Sequence, residues 1–141
     1  MSIYLDASVL AGLLIESDVF AGRAATFFAR NEDVLIVSDF AAAEFASVVA
    51  RVTRMNQIQG DQARAIFAAF DLWRGRFSEE SGAVSSDIQS ATTIIRRLDL
   101  NLRAPDAINL AIASRLGAVL VTFDRRMAEN ASALGISVLS V

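Results

Sequence analysis

Three short apolar runs, separated by segments with helical character, constrain the fold of this chain more than any other feature. The runs are SIYL at 2–5, VLIV at 34–37 and AVLVT at 118–122, and a fourth, ISVLS, follows at 136–140. Continuous runs of this length are typical of strands that are buried on both faces in a parallel sheet. The pattern predicts one α/β domain over residues 1–141, with a mostly parallel sheet between two layers of helices.

The segments between these runs predict seven helices. They span 7–15, 18–30, 39–54, 60–77, 86–99, 105–116 and 125–134. Pro105 marks the start of the sixth helix, because proline is favoured in the first helical turn. No linker, repeat or low-complexity segment interrupts the series, so a single compact domain is expected.

Four acidic residues stand where the predicted fold brings chain segments together. Asp6 and Asp124 each follow a predicted strand directly, and Asp106 lies in the first turn of a helix. In α/β sheets, ligand sites lie beyond the carboxyl ends of the strands. Glu44 lies beside the apolar stripe of the 39–54 helix, where an unpaired charge is costly. We expect these four carboxylates to converge at one end of the sheet, where cations, or protonation of some of the acids, would offset their repulsion.

Each acid also has a simpler explanation. The three aspartates could merely begin their helices, since aspartate is favoured as an N-cap and in the first turn. Glu44 could pair with Arg51 or Ser47 on its own helix. Convergence of all four at one end of one sheet favours a shared site over four separate local roles.

The residue types that are absent narrow the chemistry. The chain contains no histidine, cysteine or lysine, so all 13 of its basic residues are arginine. Ser-His-Asp and Cys-His catalysis, zinc sites built from histidine and cysteine, and Schiff-base chemistry are therefore excluded. Hydrolysis would have to depend on carboxylates, which suit hard cations such as Mg²⁺ or Mn²⁺.

The charge balance restricts how nucleic acid could be bound. The net charge of −3 is not that of a protein that coats nucleic acid by bulk attraction. Contacts with phosphate would instead come from local arginines, whose guanidinium groups bind phosphate bidentately. Arg103, Arg125 and Arg126 flank the acids in the sequence and are the candidates for substrate binding, although solvated surface arginine is the simpler interpretation of each.

Other folds with acids at strand ends fit less well. Receiver-type phosphoacceptor domains and haloacid-dehalogenase-type phosphatases rely on a lysine, and this chain has none. The phosphatases also need a second aspartate two positions after the first, where this chain has Ser8. The glycine-rich phosphate-binding motifs of dinucleotide and P-loop folds are missing as well.

The chain strongly resembles the PIN-domain ribonucleases, in particular the VapC-type toxins of bacterial toxin–antitoxin pairs, over essentially its whole length. The matching segments are IYLDAS at 3–8, SDFAAAE at 38–44, PDA at 105–107 and VTFDR at 121–125. The resemblance implies a PIN-like three-layer α/β/α sandwich. It also implies that the four acids correspond to the acidic quartet of the family.

Three polar residues are expected to support the acids. The resemblance matches Ser8 to a small hydroxyl residue after the first acid, and Thr122 to a threonine before the last. Asn109 lies one helical turn beyond Asp106, and this spacing puts it on the same face of the helix. We therefore expect Asn109 to hydrogen-bond near the acids.

The function implied by the resemblance is that of a toxin that acts as a metal-dependent endoribonuclease. Asp6, Asp106 and Asp124 would hold Mg²⁺ or Mn²⁺, and Glu44 would assist directly or through water. The partners implied are RNA, a second copy in a homodimer, and a VapB-type antitoxin whose tail blocks the site.

Lack of cysteine, of a long apolar run and of a signal-like N-terminus fits a cytoplasmic protein. A non-catalytic PIN domain that only binds partners is the alternative.

Overall fold

The computed structural model describes residues 1–141, which form four strands and seven helices. In chain order these are β1 (Ser2–Leu5), α1 (Ala7–Leu14), α2 (Ala21–Arg30), β2 (Val34–Ser38), α3 (Asp39–Arg54), α4 (Gly60–Phe77), β3 (Ser78–Ser81), α5 (Ser85–Ile95), α6 (Ala104–Arg115), β4 (Val119–Val121) and α7 (Arg125–Ala133). None of the helices combines the length and apolar character that crossing a lipid bilayer requires.

The four strands form one sheet in the order β3-β2-β1-β4, and every neighbouring pair is parallel. Ile3 of β1 pairs with Leu35 of β2 on one side and with Val119 of β4 on the other. The parallel sheet predicted from the apolar runs is therefore confirmed. Its carboxyl ends, where Asp6 and Ser38 lie, face the same way because the strands are parallel.

Each face of the sheet is covered by its own hydrophobic core. Ile3 and Leu5 pack on one face with buried residues of α1, α2, α3 and α4. Tyr4 and Ile36 point to the other face, where they pack with residues of α6 and α7. This alternation follows from the two-residue period of a strand, and it produces the three-layer α/β/α sandwich that was predicted.

Two predictions about strands were wrong. Strand β3 was missed because its sequence, SEES, is polar. It is an edge strand whose Glu79 and Glu80 are exposed, and charged residues at an edge prevent pairing with other chains. The predicted last strand, 136–140, is reduced to one parallel bridge between Leu120 and Val138.

Two helices are shorter than predicted. Helix α2 begins at Ala21 rather than at 18, because the Asp18 carboxylate accepts the Phe20 amide in a turn that precedes the helix (2.9 Å). Helix α5 ends at Ile95 rather than at 99. The other helix boundaries agree with the sequence-based predictions to within one residue.

An ion pair between the buried Asp87 and the partly exposed Arg115 joins α5 to α6. Asp87 is 1% exposed, and it accepts hydrogen bonds from Nε (2.7 Å) and an NH2 group (3.0 Å) of Arg115 and from the Val84 amide (2.9 Å). Burial alone would raise the pKa of Asp87, but the Arg115 and Val84 hydrogen bonds and the Arg115 charge outweigh it and lower that pKa. The ionised carboxylate is thus the stable form in the folded chain.

We expect Asp87→Ala to lower the free energy of unfolding by about 2–3 kcal/mol, because several charge-assisted hydrogen bonds are lost and Arg115 is left without its partner. Urea unfolding at pH 7 measures this. Asp99→Ala removes the carboxylate of an exposed pair with Arg97 and serves as the control that should leave the unfolding midpoint unchanged. Equal effects of the two substitutions would contradict the assignment.

Candidate active site

Asp6 lies directly after β1 and is the most deeply buried of the four acids, at 6% exposed. Its Oδ1 accepts hydrogen bonds from the amides of Ser8 (3.1 Å) and Val9 (3.3 Å), so it also caps α1. Burial raises the pKa of Asp6 above its ordinary value, although hydrogen bonds from Ser8 and Thr122 oppose that rise. No cationic side chain pairs with it.

Two hydroxyl groups hold the Asp6 carboxylate from both sides. Ser8 Oγ donates to Oδ1 and Thr122 Oγ1 donates to Oδ2, each at 2.6 Å. The same hydroxyl oxygens accept the backbone amides of Phe123 (2.9 Å) and Asp124 (3.0 Å). Because an ionised carboxylate can only accept hydrogen bonds, each hydroxyl directs its own proton at Asp6. The hydroxyls expected near the acids therefore join the end of β1 to the turn after β4.

Glu44 does not pair with Arg51 or Ser47, as a local explanation of this residue would require. It accepts a hydrogen bond from Nδ2 of Asn109 on α6. Burial raises the pKa of Glu44; the Asn109 hydrogen bond opposes the rise, and the negative charges of Asp6 and Asp106 add to it. Asp6 and Asp106 therefore lie close enough to Glu44 for their charges to act on it.

Asn109 belongs to a buried chain of hydrogen bonds that the sequence did not reveal. The hydroxyl of Tyr4 donates to Asn109 Oδ1 (2.6 Å) and also contacts Ser38 Oγ (2.6 Å). Burial raises the pKa of Tyr4, so this hydroxyl stays protonated. Tyr4 is the only tyrosine of the chain. A buried phenol hydroxyl needs a polar partner, so a tyrosine within an apolar strand was the one indication in the sequence of these hydrogen bonds.

The remaining two acids act in part as helix caps, as the simpler explanation proposed. Asp124 accepts the Met127 amide at the start of α7 (3.0 Å). Asp106 accepts the Arg103 amide (3.4 Å), and its carboxylate lies 3.9 Å from Arg103 Nε. These contacts use only part of the acceptor capacity of each carboxylate, so capping does not exclude a second role.

The three candidate arginines lie on the surface around the acids. Arg103 is exposed and contacts Asp106, whereas Arg125 is exposed and pairs with Glu129 at 3.4 Å on its own helix. Arg126 is also exposed. Their positions leave the guanidinium groups accessible, and they remain predictions as substrate-binding residues. A surface groove lies away from the acids, between α2 and residues 139–141.

The donor set fits a hard cation in chemistry and charge, but its geometry is not that of a preformed ion site. Carboxylate oxygens suit Mg²⁺ and Mn²⁺, and Asp6 is a buried charge without a cationic partner. No group of three or more acidic side chains, however, is arranged so that it could hold a metal ion. The tight convergence of all four carboxylates that was expected from the sequence is therefore not reached in this structure.

A model of the PIN domain family matches residues 3–133. The chain belongs to the PIN domain family. PIN domains are generally nucleases, and the acids described above lie within the matched region of this PIN domain. No curated protein matches the chain in sequence.

Solved structures support the same fold for this PIN domain. VapC20 of Mycobacterium tuberculosis, a toxin that cleaves the sarcin-ricin loop, is 20% identical, with 99% of each chain covered and a TM-score of 0.76. FitAcB of Neisseria gonorrhoeae is 17% identical, with 98% of this chain and 96% of that chain covered and a TM-score of 0.70. VapBC2 of Rickettsia felis, bound to a DNA fragment from its promoter, is 12% identical, with 99% of this chain and 98% of that chain covered and a TM-score of 0.69. At these identities the similarity establishes the PIN fold.

Proposed function

We propose that this PIN domain is a metal-dependent endoribonuclease and the toxin of a toxin–antitoxin pair. The observation that carries the proposal is the state of Asp6, a buried carboxylate held by two hydroxyls, with no cationic side chain to offset its charge. Glu44 and Asp106 add further negative charge close by. A buried group of acids is costly unless a cation neutralises it, so this end of the sheet suits a divalent ion.

The acids, the two hydroxyl residues and the arginines would have different roles in this reaction. Asp6, Asp106 and Asp124 would hold the ion, and Glu44 would bind it directly or through water. Bound Mg²⁺ or Mn²⁺ supplies an activated water and stabilises negative charge at phosphate. Ser8 and Thr122 fix both oxygens of Asp6, which keeps that carboxylate in one orientation. The exposed Arg103, Arg125 and Arg126 would bind the phosphates of RNA.

The choice of RNA and of an antitoxin is supported by the similar structures. VapC20 cleaves the sarcin-ricin loop, and VapBC2 and FitAB are complexes of a toxin with its antitoxin. We infer that this chain likewise acts on RNA, forms a homodimer and is inhibited by a VapB-type antitoxin. On α4, Phe70 is buried in the core whereas Leu72 is 73% exposed, so exposed apolar residues of this helix are available to such a partner.

A second candidate is a non-catalytic PIN domain that binds partners only. It is favoured by the absence of a preformed group of three acids that could hold an ion. The retention of all four acids favours the nuclease, because a domain without catalysis has no need for a buried unpaired Asp6. Tight binding of the antitoxin without cleavage of any RNA in Mn²⁺ would support the second candidate.

The chemical nature of the cut ends tests the proposed reaction. Attack by an activated water is expected to leave 5′-phosphate and 3′-hydroxyl ends, because the bond to the 3′-oxygen is broken. The chain is incubated with total RNA and Mn²⁺, and the ends are mapped by their reactivity in adaptor ligation. Ends with a 2′,3′-cyclic phosphate would instead indicate attack by the 2′-hydroxyl of the substrate and would contradict the proposed reaction.

A further inference from the structure

The hydrogen bonds of Asn109 use both amide protons and the carbonyl oxygen of its side chain. Its Oδ1 accepts the Tyr4 hydroxyl (2.6 Å), and its Nδ2 donates to the Pro105 carbonyl (3.1 Å) and to Glu44 Oε1. Asn109 is 2% exposed and Tyr4 is fully buried, so water does not compete for these contacts. The amide group is thereby fixed in one of its two possible orientations.

The direction of the hydrogen bonds follows from counting protons. The two Asn109 Nδ2 protons go to acceptors that can only accept, the Pro105 carbonyl and the Glu44 carboxylate. Asn109 Oδ1 must therefore face Tyr4, whose single hydroxyl proton it receives. Ser38 must then donate to the Tyr4 oxygen, while Ser38 Oγ also accepts the Ala41 amide at the start of α3 (3.0 Å).

The hydrogen-bonded series therefore starts at Ser38, the N-cap of α3, and returns to α3 at Glu44. Between them it passes through Tyr4 on β1 and Asn109 on α6. The series determines which oxygen of Glu44 is occupied. Glu44 Oε1 is occupied by Asn109, and Oε2 has no hydrogen-bond partner within the protein. An amide turned the other way would present its oxygen to the carboxylate and would repel it.

We infer that Tyr4 is a positioning residue, which acts through Asn109 to hold Glu44 with one oxygen free to face the other acids. The inference deepens the proposed function and rests on it, since a positioned Glu44 matters only if the acids bind an ion. None of the contacts in the series depends on the ion, so the positioning can be measured in the metal-free chain.

The first test uses the amide protons of Asn109 in the metal-free chain. In Tyr4→Phe the hydroxyl is lost, and the two side-chain amide resonances of Asn109 are expected to move in a ¹H–¹⁵N NMR spectrum. Phe27→Leu is the matched control, because Phe27 is a buried aromatic residue of the core on the opposite face of the sheet. Unchanged Asn109 resonances in Tyr4→Phe, or equal changes in Phe27→Leu, would overturn the inference.

The second test measures Mn²⁺ affinity by calorimetry, together with kcat/KM for RNA. We expect Tyr4→Phe to lower both by about 10-fold and Asn109→Ala by up to about 100-fold, the range found for partners of metal ligands. In the Asn109→Ala background, Tyr4→Phe should have little further effect, because its influence passes through Asn109. Additive losses would overturn the inference, since they would indicate a general structural role.

The two tests separate the inference from the proposed function. If the wild-type chain binds no Mn²⁺ and cleaves no RNA while Tyr4→Phe still moves the Asn109 resonances, the proposed function fails and only the orientation of Asn109 by Tyr4 stands. If Mn²⁺ binding and cleavage are found but Tyr4→Phe leaves Asn109 and both measured quantities unchanged, the proposed function stands and the inference fails.

Discussion

Asp6→Asn is expected to lower kcat/KM for RNA by at least about 100-fold while leaving the domain folded. Loss of a partner of a metal ligand already costs about 10–100-fold, and Asp6 accepts more hydrogen bonds than any of the other three acids. Asparagine keeps an oxygen that can accept the Ser8 and Val9 amides that Asp6 accepts. It removes the buried charge, however, so the variant should unfold at an equal or higher temperature at pH 7.

The combination of lower activity and undiminished stability distinguishes a functional acid from a helix cap. If Asp6 served only to cap α1, asparagine would keep that cap and cleavage would stay intact. Asp71→Asn, at an exposed position on α4, is the control that should change neither cleavage nor the unfolding temperature. Cleavage by Asp6→Asn at the wild-type rate would contradict the role of Asp6.

Mn²⁺ is expected to raise the unfolding temperature of the metal-free chain at pH 7 by about 5–10 °C. An ion present at about 100 times its Kd stabilises the folded state by about 2.7 kcal/mol, which corresponds to such a shift for a chain of this size. Differential scanning fluorimetry in EDTA and then in Mn²⁺ measures it. Asp6→Asn should lose most of the shift and Asp71→Asn should retain it; an equal shift in both would argue for binding elsewhere.

The same acids give the metal-free chain a characteristic pH dependence. The pKa values of Asp6 and Glu44 are both raised, chiefly by burial. Protonated acids at these positions therefore stabilise the fold. That stabilisation is fully present below the ordinary carboxyl pKa of about 4 and is lost as the pH rises through the raised values. Saturating Mn²⁺ should flatten this part of the profile.

The sequence predicted those features that depend on local pattern. Strands β1, β2 and β4 are apolar runs, and α3 and α4 have the predicted bounds. Strand β3 escaped prediction because an exposed edge strand needs no apolar residue. The positions of Asp6 and Asp124 could be predicted because each follows a strand. The carboxyl ends of parallel strands lie at the same edge of the sheet, so the two aspartates were expected at that edge.

Contacts between distant segments could not be read from local pattern. Glu44 was assigned possible partners on its own helix, yet its partner is Asn109, 65 positions away. Tyr4 lies in a run whose hydrophobic character hides its hydroxyl, and only the packing of α6 against β1 shows where that hydroxyl points. Family resemblance identified the acids, but the hydrogen bonds that orient them depend on tertiary structure.

The central claim, that the acidic end of the sheet is a metal-dependent nuclease centre, is tested most directly by the metal dependence of RNA cleavage. The purified chain is stripped of metal, incubated with total RNA in EDTA, and then supplied with excess Mn²⁺ or Mg²⁺ in the same reaction. We predict no cleavage in EDTA and cleavage once the ion is added. Cleavage that persists in EDTA, or none with either ion, would contradict the account.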